Sequence, residues 1–119
     1  MITLKTLPQA TAQEVFEQVA KHLIKQNAKA QNDYKSCKYR HGDLKCAAGC
    51  LIAEDEYNED IMECNGWGRL VTRDIVPENH DDLICDLQKV HDKKETNTWK
   101  EELIKVATEH NLDYSFLNN

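Results

Sequence analysis

Residues 11–24 read TAQEVFEQVAKHLI, and this stretch decides the fold because it specifies an amphipathic helix together with its start. Thr11 and Glu14 have the spacing of a capping box, in which each side chain binds the backbone amide of the other residue. Pro8 prevents the helix from beginning earlier, and the pattern predicts a helix over about residues 11–28. Its apolar residues recur at the spacing of one helical face: Val15, Phe16, Val19, Ala20, Leu23 and Ile24.

Two later stretches show the same periodicity and predict two more helices. Residues 79–92 begin with Asn79 as a candidate cap and carry acidic residues in the first turn, where the helix dipole favours them. Their apolar face consists of Leu83, Ile84, Leu87 and Val90. Residues 98–110 begin with a second capping-box spacing, Thr98 with Glu101. Trp99 lies on the apolar face of this last helix, so we expect it in the core.

The segment between the first two long helices has a different character. Two short alternating stretches around His41-Gly42-Asp43 predict a small hairpin over about residues 37–46, since glycine accepts the positive φ of a tight turn. Residues 46–53, CAAGCLIA, predict a short helix whose small side chains let another backbone approach closely. The chain contains no internal repeat and no long linker. We therefore expect one domain, 1–119, of mainly α (α+β) class with the hairpin inserted after the first long helix.

The charge of the chain is unevenly distributed, although the net charge is only -6. Residues 1–53 contain eight basic and four acidic residues, whereas residues 54–119 contain seven basic and seventeen acidic ones. The acidic half disfavours an extended nucleic-acid surface and suits a basic protein partner. No apolar run approaches the roughly 20 residues of a membrane span, and the N-terminus lacks the features of a signal peptide. These features predict a soluble cytoplasmic protein without a membrane partner.

The charge reverses at an acidic run that begins at Glu54, and this run is the predicted partner-binding surface. Three other interpretations stay open, namely a solvated loop, carboxylates for general acid-base chemistry, and an internal ion pair of Arg40 with Asp55 or Glu56. The candidate contact residues are Glu54, Asp55, Glu56, Tyr57, Glu59 and Asp60, together with Arg40 from the hairpin.

Three of the five cysteines, Cys37, Cys46 and Cys50, have the spacing C-x8-C-x3-C and form a candidate zinc site. Two thiolates four residues apart share a helix face, and the hairpin can bring the third to them. The spacing lacks the close cysteine pairs of common structural zinc sites, so packing of reduced thiols, with no cofactor, is the alternative. The candidates for the fourth ligand are His41, Cys64, His80, Cys85 and His91.

A reactive thiol is a third interpretation of the same segment. Cys46 stands at the predicted start of the short helix, beside Lys45 and near Arg40, and such surroundings lower the pKa of a thiol. A catalytic pair needs one of the histidines next to this sulfur. Because the sequence contains no complete catalytic signature, it assigns no catalytic residue and leaves open whether the protein is an enzyme.

Several of these stretches together resemble a family of small uncharacterised proteins of bacteria and their phages. The resemblance is carried by LPQATAQEVFEQVAKHL (7–23), CKYRHGDLKCAAGCLIAEDEY (37–57), GWGRLV (66–71) and the run from His80 to Trp99. It implies a phage or prophage context, in which small accessory proteins bind proteins of the host, and it implies no catalytic or ligand residue. We therefore expect a non-enzymatic protein of the host cytoplasm that binds and modulates a host or phage protein, a DNA-mimicking inhibitor being one version. The alternative is a cysteine-centred zinc or thiol site, structural or enzymatic.

Overall fold

Five α-helices and a two-stranded hairpin form the fold in the computed structural model, which describes residues 1–118. The antiparallel strands pair Arg40 with Lys45 and His41 with Leu44. The predicted mainly α class with a small hairpin is confirmed. Within residues 1–118, no helix has both the length and the apolar character needed to cross a membrane. The elements are α1 (Ala12–Gln26), β1 (Arg40–His41), β2 (Leu44–Lys45), α2 (Glu59–Met62), α3 (Trp67–Thr72), α4 (Asp81–Lys93) and α5 (Trp99–Glu109).

The capping box predicted at the start of α1 is confirmed. The Thr11 hydroxyl accepts from the Glu14 amide at 3.1 Å, and the Glu14 carboxylate accepts from the Thr11 amide at 2.8 Å. The helix ends at Gln26 because Asn27 adopts the left-handed conformation, with a φ of 48°. Ile24, predicted to lie on the buried face, is 41% exposed. The buried residues of α1 are Val15, Phe16, Val19, Ala20 and Leu23.

The caps predicted for the two later helices are wrong. His80, not Asn79, precedes α4 in a left-handed conformation, and its Nε2–H donates to the Ala10 carbonyl at 2.7 Å. Thr98 does precede α5, but its hydroxyl donates to the Glu95 carbonyl at 2.8 Å and makes no capping box. In both places the turn before the helix directs the side chain away from the helix amides, so motif spacing alone does not determine the cap.

The short helix predicted over about residues 46–53 is a 3-10 helix, and it covers only Ala48–Leu51. The Ile52 amide donates to the Gly49 carbonyl, three residues earlier, at 3.2 Å, and this i+3 spacing is typical of a 3-10 helix. The 3-10 helix packs against α1, α4 and β2. A β-carbon built on Gly49 would lie 2.2 Å from the Tyr39 carbonyl oxygen, which confirms the predicted close approach of another backbone.

The core lies among α1, α4 and α5, and this 3-10 helix packs onto it against α1 and α4. Trp99 is fully buried, which confirms its predicted core position, and its Nε1–H donates to the Lys94 carbonyl at 3.1 Å. Trp67 is also buried and packs edge-on against Tyr39, with ring centroids 6.5 Å apart. Both tryptophans therefore serve the fold and not an exposed binding surface.

Candidate functional site

The acidic segment of residues 54–60 contains inward-facing and outward-facing carboxylates, and Glu56 faces inward. Its Oε1 accepts from the Leu4 and Ala53 amides, both at 2.9 Å, and its Oε2 accepts from the Lys5 amide at 3.0 Å. Hydrogen bonds to an ionised acceptor are stronger than those between neutral groups. Glu56 therefore fixes the N-terminal segment to the body of the protein, and it is a structural residue.

Glu63 plays a similar part for the hairpin, and sequence reasoning missed it. Its Oε1 accepts from the Tyr39 amide at 3.0 Å, and its Oε2 accepts from the Arg40 amide at 3.1 Å and from the Tyr57 hydroxyl. Burial and the hydrogen bond to Glu63 raise the pKa of the Tyr57 phenol. Glu63 thus holds three groups that lie 6 to 24 residues away in the chain, and no local pattern marks it.

Arg40 is used inside the fold, although not as predicted. Its Nη2 donates to the Ile52 carbonyl at 2.7 Å, and its guanidinium lies 5.0 Å from the centre of the Tyr57 ring. Among the described residues it forms no ion pair with Asp55 or Glu56, so that predicted pair is wrong. Arg40 and Tyr57 are therefore half-buried supports of the acidic segment.

Four carboxylates of the segment point to solvent. Within residues 1–118, the carboxylates of these four residues form no ion pair and accept no hydrogen bond from the protein. They are carried by the 3-10 helix Glu54–Glu56 and by α2, whose first turn is capped by the Asn58 side chain at 3.2 Å from the Ile61 amide. Ile61 lies beside them and is 41% exposed. We call Glu54, Asp55, Glu59 and Asp60 the acidic surface.

Among residues 1–118, the predicted zinc ligands Cys37, Cys46, Cys50 and His41 do not form a cluster of three ligand atoms within 4.8 Å of one another. Cys46 is fully buried and its sulfur accepts from the Gly49 amide at 3.2 Å, whereas Cys50 donates to the Ala47 carbonyl at 3.2 Å. His41 is exposed on the hairpin. Burial raises the pKa of the Cys46 thiol strongly and that of Cys50 to about 12. The predicted activation of Cys46 is therefore wrong, because burial raises the pKa of its thiol more than the hydrogen bond from the Gly49 amide lowers it.

Cys37 instead meets two residues from the end of α4. Its sulfur, one ring nitrogen of His91 and one carboxylate oxygen of Asp92 all lie within 4.8 Å of one another. His91 is fully buried: its Nδ1–H donates to Asp92 Oδ1 at 2.7 Å, and its Nε2 accepts from the Ala30 amide at 2.9 Å. These bonds fix the neutral Nδ1–H tautomer. We call Cys37, His91 and Asp92 the thiol-histidine cluster.

The thiol-histidine cluster borders a polar cavity of about 280 Å³. Cys37 and Asp92 line this cavity, and so do the exposed Cys64 and the engaged Glu63. Burial, followed by the negative charge of Asp92, raises the pKa of the Cys37 thiol. A protonated thiol beside a carboxylate is a poor nucleophile, so this geometry does not favour thiol catalysis.

The cysteines are expected to differ widely in their reactivity toward iodoacetamide. Alkylation of Cys64 in the folded protein should be at least about 100-fold faster than alkylation of Cys46, because only the former sulfur is exposed and only thiolates react. Quenching at successive times, followed by peptide mass spectrometry, measures each rate. Equal rates for the two cysteines in folded protein would contradict the buried position of Cys46, and denaturant should equalise them.

No protein-family model matches the chain, and no curated protein or solved structure is significantly similar to it. The resemblance to bacterial and phage proteins therefore stays a prediction. Function has to be inferred from the acidic surface and the thiol-histidine cluster themselves.

Proposed function

We propose that this protein is a non-enzymatic accessory protein of a bacterium or phage that binds and modulates a host or phage protein through the acidic surface. The observation that supports the proposal is the division of the acidic segment into anchored and free carboxylates. Glu56 is bound by three backbone amides, while the four carboxylates of the acidic surface face solvent. The anchored residue holds the free ones in a fixed arrangement, which lowers the entropic cost of binding.

The chemistry of the surface indicates the kind of partner. These four carboxylates have no Lys, Arg or His partner within 4.0 Å among residues 1–118, so they can attract Lys and Arg side chains of another protein and repel other acidic surfaces. The exposed Ile61 offers an apolar contact next to them. The expected partner therefore presents a basic surface that includes an apolar residue or pocket.

The thiol groups support a binding function over a thiol-dependent enzyme. Burial raises the pKa of Cys37, Cys46 and Cys50, and the same effect raises the pKa of Cys85 to about 11. Cys85 also donates to Asp81 Oδ1 at 3.3 Å, which favours its protonated form. A nucleophilic thiolate needs the opposite surroundings.

Neutralising the acidic surface is expected to weaken the binding of the partner at least about 10-fold at low salt and to reduce its salt dependence, because long-range attraction is lost. The variant carries Glu54→Gln, Asp55→Asn, Glu59→Gln and Asp60→Asn. Proteins captured from a bacterial host lysate by the unaltered protein are identified and purified. For each captured protein, the dissociation constants of its complexes with the unaltered protein and with the variant are then measured at several salt concentrations.

The matched control neutralises four exposed carboxylates elsewhere and reaches the same net charge. It carries Asp33→Asn, Glu78→Gln, Glu95→Gln and Glu109→Gln. All four residues are exposed and lie outside the acidic segment of residues 54–60. This control should bind nearly as tightly as the unaltered protein. Adding Ile61→Ser to the acidic-surface variant should weaken binding of the partner further. If the two neutralised variants lose affinity equally, net charge and not the acidic surface attracts the partner. If neither loses affinity, the proposal is overturned.

A further inference from the structure

We propose that the thiol-histidine cluster binds a divalent transition-metal ion of the zinc class, with Cys37 Sγ, His91 Nδ1 and Asp92 Oδ1 as its protein ligands. This site is independent of the acidic surface, and it differs from the cysteine set that spacing alone predicts. Thiolate, imidazole and carboxylate are the three side-chain groups that zinc binds in proteins. Cobalt(II) favours the same ligands and reports on them by its colour.

The distances within the cluster suit such an ion. Cys37 Sγ, one ring nitrogen of His91 and one carboxylate oxygen of Asp92 lie within 4.8 Å of one another, and His91 Nδ1 lies 2.7 Å from Asp92 Oδ1. Ligands at about 2.0–2.3 Å from a tetrahedral zinc ion are roughly 3.3–3.8 Å apart, so the hydrogen-bonded His91 and Asp92 atoms must separate by roughly 0.6 Å or more, and Cys37 Sγ must approach by at most about 1 Å.

The backbone already holds the ligands in place. The Lys38 amide donates to the Ala30 carbonyl at 2.7 Å, and Gln31 pairs with Cys37 in an isolated bridge, so the loop that carries the thiol is fixed. His91 and Asp92 lie in the last turn of α4. Because the backbone that carries the three ligands is already ordered, metal binding loses less conformational entropy than it would in a flexible loop.

Metal binding changes the hydrogen bonds of His91 in a defined way. A metal at Nδ1 replaces the proton shared with Asp92, and in a neutral ring that proton moves to Nε2. Nε2 then no longer accepts from the Ala30 amide, which lies 2.9 Å from it in the structure. The Cys37 thiol proton leaves to solvent, so one proton is released for each ion bound. The Ala30 amide is therefore a specific reporter of occupancy.

The fourth coordination position lies toward the polar cavity. Cys37 and Asp92 form part of its wall, and His91 is buried behind them. The cavity of about 280 Å³ has room for water and is also lined by Cys64. Three protein ligands with a fourth position left open are found in zinc sites that exchange a ligand.

The test uses full-length protein, kept reduced with a non-thiol reductant, and Zn²⁺ and Co²⁺ as probes. Calorimetric titration with Zn²⁺ should give about one equivalent, and Co²⁺ should give a thiolate charge-transfer band that Zn²⁺ removes. Binding should shift the Ala30 amide resonance. Cys37→Ser should abolish the charge-transfer band, and both Cys37→Ser and Asp92→Asn should weaken Zn²⁺ binding at least about 10-fold.

The chain offers a matched control in Cys85, a second thiol beside a carboxylate. Its sulfur lies 3.3 Å from Asp81 Oδ1, but no histidine completes a three-ligand cluster there among residues 1–118. Cys85→Ser should leave Zn²⁺ binding and the Co²⁺ band unchanged. All variants are compared by their metal-free thermal unfolding, which should be similar because the substitutions conserve size. The proposal is overturned if the unaltered protein binds no Zn²⁺, or if Cys37→Ser and Cys85→Ser reduce binding equally.

Discussion

Gly49→Ala is expected to lower the free energy of unfolding by about 3 kcal/mol, the largest effect we expect from adding a single methyl group to this protein. The added β-carbon would lie 2.2 Å from the Tyr39 carbonyl oxygen and 3.1 Å from its carbonyl carbon. Both atoms are backbone, so no flexible side chain can move aside. The same carbonyl accepts from the Cys46 amide at 3.1 Å, and a shift that relieves the clash disturbs this bond. Urea unfolding measures the change.

Gly68→Ala is the matched control, because it adds the same methyl group where there is space. Gly68 lies within α3, is exposed, and has no heavy atom within 4 Å of the added carbon. Alanine has the higher helix propensity, so this variant should gain about 0.5–1 kcal/mol. If Gly49→Ala were as stable as the control, the hairpin could not lie against the 3-10 helix as described.

His91→Leu is expected to lower the free energy of unfolding by roughly 2–3 kcal/mol. Leucine fills most of the volume beside Trp99, whose ring centre lies 5.7 Å from that of His91. It cannot accept from the Ala30 amide, which is left buried without a partner, and leaving such a donor unpaired costs more than the bond contributes. Urea unfolding gives the energy, and hydrogen exchange of the Ala30 amide should become much faster.

The exposed His41 provides the control for that substitution. It lies on the hairpin, and its side chain makes no hydrogen bond within the described residues, so His41→Leu should change the unfolding energy by less than about 0.5 kcal/mol. If His91→Leu changes the free energy of unfolding as little as His41→Leu does, the buried imidazole is not what links α4 to the loop at Ala30. Slow exchange at Ala30 in that variant would lead to the same conclusion.

The start of α1 was predictable because everything that specifies it lies within four residues. The Thr11 and Glu14 side chains bind each other's amides, and the apolar face follows directly. Thr98 and Glu101 have the same spacing, but the Thr98 hydroxyl bonds backward to Glu95. The difference comes from the turn before α5, which the motif does not include.

The candidate sites were less predictable because their residues are separated in the chain. The acidic run marked the candidate segment, but only contacts with Leu4 and Lys5 show that Glu56 is anchored. Cys37 was predicted as a metal ligand with Cys46 and Cys50, and His91 was one candidate for the fourth ligand, whereas Cys37 lies beside His91 and the unpredicted Asp92. Cysteine spacing could not reveal this cluster because α4 supplies two of its three members.

The sequence by itself determined the helical periodicity, the position of the hairpin, the burial of Trp99 and the place where the charge reverses. These properties depend on neighbouring residues, whose energies a local pattern reflects. Only the tertiary structure decided which carboxylates are free, why Gly49 has no room for a side chain, and which groups surround the thiols. Those features depend on contacts between Glu56 and Leu4, Tyr39 and Gly49, or Ala30 and His91, whose sequence separations reach 61 residues. Such contacts form only when the whole core packs.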